Sequence, residues 1–398
     1  MRLVHFSDLH LGYRQYQRQT PTGINQREAD VAAAFKRAID KTIALAPDVV
    51  LIAGDVFHTV RPTNPAILHA FMQFQRLAAE LPHAAVVMVA GNHDAPRSTE
   101  TGCILRLFAQ LGFRVADKGP ERIMLPAHNL AVLAVPDIAN APRVELAPEP
   151  GVRHNILLLH GEVDGVIPSH AAAMDRATAG YTPAELGLDK WSYVALGHYH
   201  VYRQIALNAY YSGSIEYTSP NFWGELQEER AVHLPGKGII EYDLETKRHR
   251  FHPVGTSRPL VDLPMISARG LSPESVDAAV RDAVDHVKGG IDDKVVRLVV
   301  RDLPRHVARE LDHKALREYR RRALHFHLDT RRPEMIRTSV SGAPGRRASL
   351  ADTVRDKLQA RSLDAGIDRQ ALVELGLRYL HDADLVATPT AADAEEDA

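Results

Sequence analysis

The sequence predicts an α/β fold in which short buried strands alternate with amphipathic helices. Six apolar runs in roughly the first 215 residues are short, aliphatic and non-alternating, as expected for strands buried on both faces. These runs are Leu3–Phe6, Val49–Ala53, Ala85–Ala90, Leu130–Val135, Ile156–Leu159 and Tyr193–Leu196. Apolar residues at helical spacing over Glu28–Leu45 and Ile67–Leu81 predict helices between them. Layers of this kind imply an α/β sandwich.

The remainder of the chain predicts smaller units. Short runs broken by turns, such as Pro235–Gly238, predict hairpins at the end of the sheet, and a strand–helix–strand–helix–strand pattern follows. Two amphipathic helices come after a stretch rich in Pro, Gly and Ser. The predicted divisions are the main domain at 1–255, an α+β unit at 256–332, a linker at 333–348, a helical element at 349–382 and a disordered acidic tail at 383–398.

Composition narrows the class of protein. With 398 residues, 45% hydrophobic and 25% charged, the chain is typical of a globular protein with two or three units. Its single cysteine, Cys103, excludes an intrachain disulfide framework and a cysteine-based zinc site. No apolar run approaches the roughly 18 residues of a membrane span, and the N-terminus lacks a signal-peptide pattern. We therefore expect a cytoplasmic protein without a membrane partner.

Charge is unevenly distributed along the chain. The formal net charge of -2 argues neither for nor against nucleic acid, because a neutral total can hide opposed patches. Residues 294–337 contain 13 Lys and Arg against 6 Asp and Glu. This segment is a candidate surface for phosphate groups, although arginines on a helix are often simply solvated.

Polar clusters follow five of the predicted strands where each strand ends. They are Ser7-Asp8-Leu9-His10, Gly54-Asp55-Val56-Phe57-His58, Gly91-Asn92-His93-Asp94, His160-Gly161 and Gly197-His198-Tyr199-His200. Because ligands bind at the carboxyl ends of strands in open α/β sheets, these clusters should converge. Carboxylates, an amide oxygen and imidazoles without a thiolate suit divalent ions such as manganese. Seven or more such groups suit two ions about 3.5–4 Å apart that share a carboxylate.

Each cluster alone has an ordinary interpretation. An Asp-x-His sequence is usually a surface loop, a Gly-Asp after a strand is often a turn, and His160 alone could be a core histidine. Five independent accidents would not place all these clusters after buried strands of one domain. Together they predict a metal site.

The same residues carry a family resemblance. The series D-x-H, G-D-x-x-H, G-N-H-D, H-G and G-H-x-H resembles the signature of the calcineurin-like metallophosphoesterases. Four stretches are further similar to the SbcD/Mre-eleven DNA repair nucleases: Phe6–Tyr13, Ile52–His58, Ala195–His200 and Tyr211–Glu216. Together the resemblance covers roughly residues 1–245. The resemblance implies a four-layer α-β-β-α sandwich with a smaller α+β capping domain and a C-terminal helix pair.

The resemblance also implies a site for two divalent ions, Mn²⁺ or alternatively Mg²⁺. One ion would be held by Asp8, His10, Asp55 and His200. Asp55 would bridge to the second ion, which Asn92, His160 and His198 complete.

Three further residues receive roles from the resemblance. His93 would ligate neither ion, stabilise the transition state and assist the leaving 3′-oxygen. Asp94 would orient the His93 imidazole, and His58 would contact the phosphate.

The implied activity is two-metal hydrolysis of DNA, as a 3′→5′ exonuclease on duplex ends and an endonuclease near single-strand or hairpin structures. Partners would be double- and single-stranded DNA, an SbcC-like SMC/ABC ATPase docked on the helix pair, and a second copy of the chain, for which no apolar stripe is evident in the sequence. The site of action would be the cytoplasm, at the nucleoid. Candidate DNA contacts are Arg297, Arg301, Arg305, Arg320 and Arg321.

Two alternatives stay open at this stage. The chain could be another calcineurin-like enzyme that acts on small nucleotides or phosphoproteins, since such enzymes would share every metal ligand. It could also be a non-catalytic scaffold that binds DNA ends and has a structural metal site. The helix pair could likewise pack back on its own chain.

Overall fold

The computed structural model describes residues 1–96, 102–139, 141–168, 177–333, 350–361 and 368–387. The chain divides into two compact units, Met1–Pro333 and Glu334–Ala398. The first contains the predicted main domain and the predicted α+β unit, and the boundary between those two stays a prediction. The predicted linker lies almost wholly outside the described residues.

Two six-stranded sheets form the main part of the first unit. The strands of the first sheet are β1 (Arg2–Phe6), β2 (Val49–Ile52), β3 (Ala85–Val89), β4 (Arg114–Ala116), β13 (Gly238–Asp243) and β14 (Arg248–Pro253). Their order is β14-β13-β1-β2-β3-β4, and β1 to β4 are parallel. Strands β13 and β14 form the antiparallel hairpin that the turns after residue 200 predict.

The strands of the second sheet are β5 (Glu121–Leu125), β6 (Leu130–Val135), β7 (His154–His160), β10 (Tyr193–Gly197), β11 (Arg203–Ala206) and β12 (Ala209–Tyr211). Their order is β11-β12-β10-β7-β6-β5, with β6, β7, β10 and β12 parallel. A small parallel pair, β8 (Glu162–Val163) and β9 (Gly180–Tyr181), lies between β7 and β10 in sequence.

Buried clusters lie on both faces of each sheet. Leu51, Ile156 and Tyr193 belong to the cluster shared by the two sheets. On its other face the first sheet packs against α1 (Gln26–Leu45) and α2 (Asn64–Glu80). These helices contribute Phe35 and Phe74 to a second, separate buried cluster. The outer face of the second sheet packs against the short helix α3 (Pro183–Leu186) and its surroundings. The predicted α/β class is confirmed.

Local chemistry explains where the long helices begin. The Asn25 side chain accepts hydrogen bonds from two backbone N–H groups of the first turn of α1, and Thr63 does the same for one N–H of α2. Each helix starts two or three residues before the predicted start, because the apolar spacing begins only after these caps. Three 3₁₀ helices in the described chain cover Ile104–Leu111, Pro126–His128 and Leu188–Lys190.

The predicted α+β unit is a four-stranded parallel sheet flanked by helices. The central strand β17 (Val295–Arg301) pairs with β15 (Leu260–Asp262) and β16 (Ile266–Ser267) on one edge and with β18 (His325–Thr330) on the other. Its helices are α5 (Pro273–Asp285), α6 (Arg305–Glu310) and α7 (His313–Arg322). The unit has its own apolar core. It meets α4 (Phe222–Ala231) of the main domain through a smaller cluster that includes Trp223 and Leu324.

The second unit contains α8 (Leu350–Ala360) and α9 (Arg369–Ala387). A Cβ at Gly376 would lie 2.6 Å from a methyl carbon of Leu358, so glycine lets the two helices approach closely. Helix α9 continues to Ala387, which corrects the predicted start of the tail at residue 383. The rest of that tail lies outside the described residues. No helix in the described part of the chain is long and apolar enough to cross a membrane.

Candidate metal centre

The polar clusters named from the sequence meet at the carboxyl ends of the parallel strands. Asp8 and Asp55 follow β1 and β2 of the first sheet, while His160 and His198 end or follow β7 and β10 of the second. Four of these loop residues have left-handed backbone conformations: Asp8 (φ 54°), His10 (φ 46°), Asp55 (φ 50°) and His198 (φ 103°). Such conformations are uncommon for residues other than glycine and cluster at functional sites.

Asp8, His10 and His200 form the first group of potential ligands. One ligand atom from each lies within 4.8 Å of the others, and all three side chains are buried. The Nε2 atoms of His10 and His200 are 3.0 Å apart. Two imidazole nitrogens that converge in a buried site can both ligate one divalent cation.

Asp55, His160 and His198 form the second group. The Nε2 atom of His160 lies 3.1 Å from Asn92 Oδ1 and 3.4 Å from Asp55 Oδ2. The same Asp55 Oδ2 atom lies 3.9 Å from His10 Nε2. Asp55 is therefore placed between the two groups, as a bridging carboxylate must be.

Contacts behind the imidazoles determine which nitrogen faces the site. His160 Nδ1 lies 2.7 Å from the carbonyl oxygen of Ala53 and donates to it, which leaves the Nε2 lone pair for a ligand. His198 Nε2 lies 3.4 Å from Glu162 Oε1, while its buried Nδ1 has no hydrogen-bond partner among the described residues. A cation bound by that Nδ1 would give this buried atom a partner. The nitrogen and oxygen atoms of the second group therefore fit a divalent cation.

Glycines at the strand ends make room for this arrangement. A Cβ on Gly197 would lie 1.8 Å from the carbonyl oxygen of Ala53, and one on Gly91 would lie 2.1 Å from Asp55 Oδ1. Both distances are impossible for real side chains. The glycines of the G-N-H and G-H-x-H motifs are thus required for the close approach of neighbouring loops.

His58 and His93 stand beside His10 at the half-buried mouth of the site. Their rings lie parallel with centroids 5.4 Å apart. His93 Nδ1 lies 2.8 Å from the carbonyl oxygen of His58 and donates to it, and the His93 backbone N–H donates to Asp55 Oδ1 at 2.9 Å. The structure therefore brings the two predicted catalytic histidines together with the predicted ligands.

The contacts of the Asp94 carboxylate are with backbone groups, and its predicted role of orienting the His93 imidazole stays a prediction. Its fully buried carboxylate accepts hydrogen bonds from the backbone N–H groups of Val56, Phe57 and Gly91, at 2.9–3.1 Å. The His93 imidazole itself donates to the carbonyl oxygen of His58. Asp94 therefore ties the loop after β2 to the loop after β3, which fixes Asp55 and His93 through their backbone.

Burial and neighbouring charges shift the pKa values of several titratable groups in the site, in both directions. Burial lowers the pKa of His10 well below its usual range, and His200 lowers it further. Burial also disfavours charge on His160, but Asp55 raises the pKa of His160 overall, to about 10. Burial and the nearby Asp55 raise the pKa of Asp94 to about 7. A cation at Asp55 would therefore compete with a proton on His160, since a ligating histidine must be neutral.

Sequence reasoning missed the residues behind the ligands. Glu162 contacts His198, and Glu225 Oε1 lies 3.4 Å from His200 Nδ1. Lys237, 2% exposed, donates to Glu225 Oε2 at 2.6 Å. The available signals were weak: Glu225 and Glu229 are spaced by one helical turn, and Lys237 directly precedes an apolar run.

The five candidate DNA-contacting arginines differ in their surroundings. Arg297 donates to Asp262 at 2.7 and 2.9 Å and lies 4.7 Å above the Trp223 ring, so its charge is already paired within the fold, and its contact with DNA stays a prediction. Arg321 pairs with Glu318 on its own helix. Arg301, Arg305 and Arg320 are exposed, and none of them makes an ion pair within the described chain.

Comparisons with known proteins agree with this geometry. The family model of the calcineurin-like phosphoesterases matches residues 1–233. The chain is 30% identical over 254 residues to the DNA double-strand break repair protein Mre11 of Methanocaldococcus jannaschii, covering 61% of this chain and 62% of that protein. For the Mre11 protein of Methanopyrus kandleri the identity is 26% over 264 residues, covering 61% of this chain and 54% of that protein. The chain thus spans little more than half the length of these curated relatives.

Proposed function

Since the chain belongs to the calcineurin-like phosphoesterase family, we propose that it is a manganese-dependent DNA nuclease that uses two divalent ions. Its activities would be 3′→5′ exonuclease action on duplex ends and endonuclease action at single-strand or hairpin structures. The observation that carries the proposal is the pair of buried ligand groups on either side of Asp55. The similarity to DNA repair proteins supports DNA as the substrate.

The chemistry of the proposed reaction divides between the ions and the chain. When bound, the ions would supply a water-derived nucleophile near neutral pH and neutralise charge on the phosphoryl oxygens. His93 donates its Nδ1 proton to the His58 carbonyl, so its Nε2 is the nitrogen directed away from that backbone. From the mouth of the site it can protonate the departing 3′-oxygen, and His58 can hold a phosphate oxygen. An imidazole suits this role because its ordinary pKa of about 6.5 is close to neutral pH.

An assay on end-labelled duplex DNA tests the proposed function. Cleavage should occur with Mn²⁺, be absent with EDTA and exceed the turnover of bis-p-nitrophenyl phosphate at equal metal concentration. A small-molecule phosphodiesterase would give the reverse preference, and a scaffold would bind ends without cutting them. Either of these results would contradict the proposal. The product released from each labelled end reports the polarity of cleavage.

Arg301, Arg305 and Arg320 are proposed as the phosphate-binding residues of the capping unit. Their replacement by glutamine should weaken duplex binding at all sequences, because side chains that bind phosphate position DNA without reading its bases. The slope of log K against log salt should fall by about 0.9 for each arginine–phosphate pair that the substitutions remove. Arg321→Gln is the matched control, since its charge is already paired with Glu318. Equal salt slopes for the triple variant and the wild-type chain would contradict the assignment.

The C-terminal helix pair is proposed to dock an SbcC-like SMC/ABC ATPase. Within the described pair, Leu350, Leu375 and Tyr379 are 64%, 43% and 68% exposed. Exposed apolar side chains on an amphipathic helix are typical of a helix that fits a partner's groove. Removal of residues 349–398 should abolish binding of the ATPase and leave manganese-dependent cleavage unchanged. Co-purification of the truncated chain with the ATPase at the wild-type ratio would exclude this role.

A homodimer is also proposed. Leu68 and Met72 of α2 are 61% and 54% exposed and lie one helical turn apart. This apolar stripe, which was not recognised from the sequence, is typical of a protein interface. Light scattering on the intact chain tests the proposal, and the mass of a single chain would contradict it. A chromosomal DNA substrate implies the cytoplasm, at the nucleoid, as the place of action.

A further inference from the structure

A buried charged cluster lies behind His200. It contains Glu225 and Glu229, one turn apart on α4, and Lys237 immediately before β13. These three side chains are 2–7% exposed. Charged side chains are expensive to bury, so a cluster of three beside a candidate ligand requires a physical reason.

The Lys237 ammonium group has an acceptor for each of its three protons. Its ammonium group donates to Glu225 Oε2 at 2.6 Å, to Glu229 Oε1 at 2.9 Å and to the backbone carbonyl oxygen of His200 at 2.7 Å. An ammonium group has three protons, and each has an acceptor here. Glu229 uses its second oxygen to accept from the Tyr217 hydroxyl. Lys237 thus fixes both the Glu225 carboxylate and the backbone of His200.

The second oxygen of Glu225 is directed at the His200 ring. Its Oε1 lies 3.4 Å from His200 Nδ1, within ion-pair distance, and neither atom has a hydrogen-bond partner among the described residues. The other ring nitrogen, Nε2, lies beside His10 in the site. The Glu225 carboxylate therefore faces one ring nitrogen, while the other is directed into the site.

We propose that Glu225, clamped by Lys237, is a positioning residue that orients His200 and thereby sets the affinity for the ion bound by Asp8, His10 and His200. The inference rests on the metal-dependent function proposed above. A carboxylate that accepts from the far nitrogen of a ligating histidine fixes its tautomer and increases its basicity. Glu229 contacts the same lysine, and within the described part of the chain it makes no hydrogen bond or ion pair with His200, so it serves as an internal control.

Manganese binding to the full-length, metal-free chain tests the inference. Free Mn²⁺ measured by electron paramagnetic resonance gives the isotherm, and the rise in Tm on adding Mn²⁺ gives a second readout. Glu225→Gln should bind one of two ions about 10- to 100-fold more weakly and gain less Tm from Mn²⁺. Glu229→Gln should bind both ions as the wild-type chain does, although both variants lose a buried charge.

Three outcomes would overturn the inference. The first is an unchanged isotherm for Glu225→Gln, and the second is an equal loss for Glu229→Gln, which would assign the cluster to the fold alone. If Glu225→Gln does not fold, Mn²⁺ binding is measured on Glu225→Asp instead, because its shorter side chain keeps the charge beside Lys237 but moves it away from His200. The third outcome is that Glu225→Asp binds Mn²⁺ as the wild-type chain does. A wild-type chain that binds no Mn²⁺ would contradict the proposed function and this inference with it.

Discussion

The Asp55→Ala chain should fold but bind neither divalent ion, and its phosphodiesterase activity should fall to background. Asp55 Oδ2 lies within 3.9 Å of one imidazole from each ligand group, so its removal deprives both ions of a ligand. The loss should exceed the 10- to 100-fold effect typical of residues behind the ligands. Elemental analysis after dialysis against Mn²⁺ measures the result, with two ions expected in the wild-type chain and none in the variant.

Two further variants separate charge from geometry in this experiment. Asp55→Asn keeps an oxygen that can accept from the His93 backbone N–H but removes the negative charge. Asp48→Ala lies beside the other end of β2, where the native carboxylate accepts from the Arg2 backbone N–H. Asp55→Asn should also lose both ions, while Asp48→Ala should keep them. Two ions per chain in Asp55→Ala would refute the bridging role.

The positions of the candidate ligands could be predicted because they depend on local sequence. Short aliphatic runs specify parallel strands, and in a parallel sheet the polar residues after each run arrive at the same edge. The proximity of Asp8, Asp55 and His160 at the strand ends could therefore be predicted without knowledge of the strand order. The glycines beside them carried the same information, since only glycine permits the contact between Gly197 and Ala53.

The supporting residues could not be predicted for a different reason. Glu225 and Lys237 meet through contacts between α4 and β13, and no sequence spacing encodes that pairing. The partners of Asp94 could not be predicted because they are backbone N–H groups, which the identity of the neighbouring residues does not reveal. The pairing of Arg297 with Asp262 could not be predicted either, because strand pairing between β15 and β17 brings the two residues together.

Replacement of His93 by alanine should have the opposite signature to loss of Asp55: both ions stay bound and turnover is lost. The His93 side chain bonds to the His58 carbonyl, whereas its contact with Asp55 is made by the backbone N–H, which alanine retains. Loss of a general acid costs about 10²- to 10⁴-fold in rate. Steady-state cleavage of duplex DNA, together with elemental analysis of the same sample, measures both halves of the prediction.

The leaving group distinguishes a proton donor from a residue that only shapes the site. The 3′-oxygen of DNA needs a proton to depart, whereas p-nitrophenolate leaves readily without one. His93→Ala should therefore reduce DNA cleavage far more than hydrolysis of bis-p-nitrophenyl phosphate. His83→Ala, an exposed histidine before β3, should change neither rate. If His93→Ala lost both activities equally, His93 would stabilise charge in the transition state without donating a proton. If the variant cleaved DNA at near the wild-type rate, His93 would have no role in the mechanism.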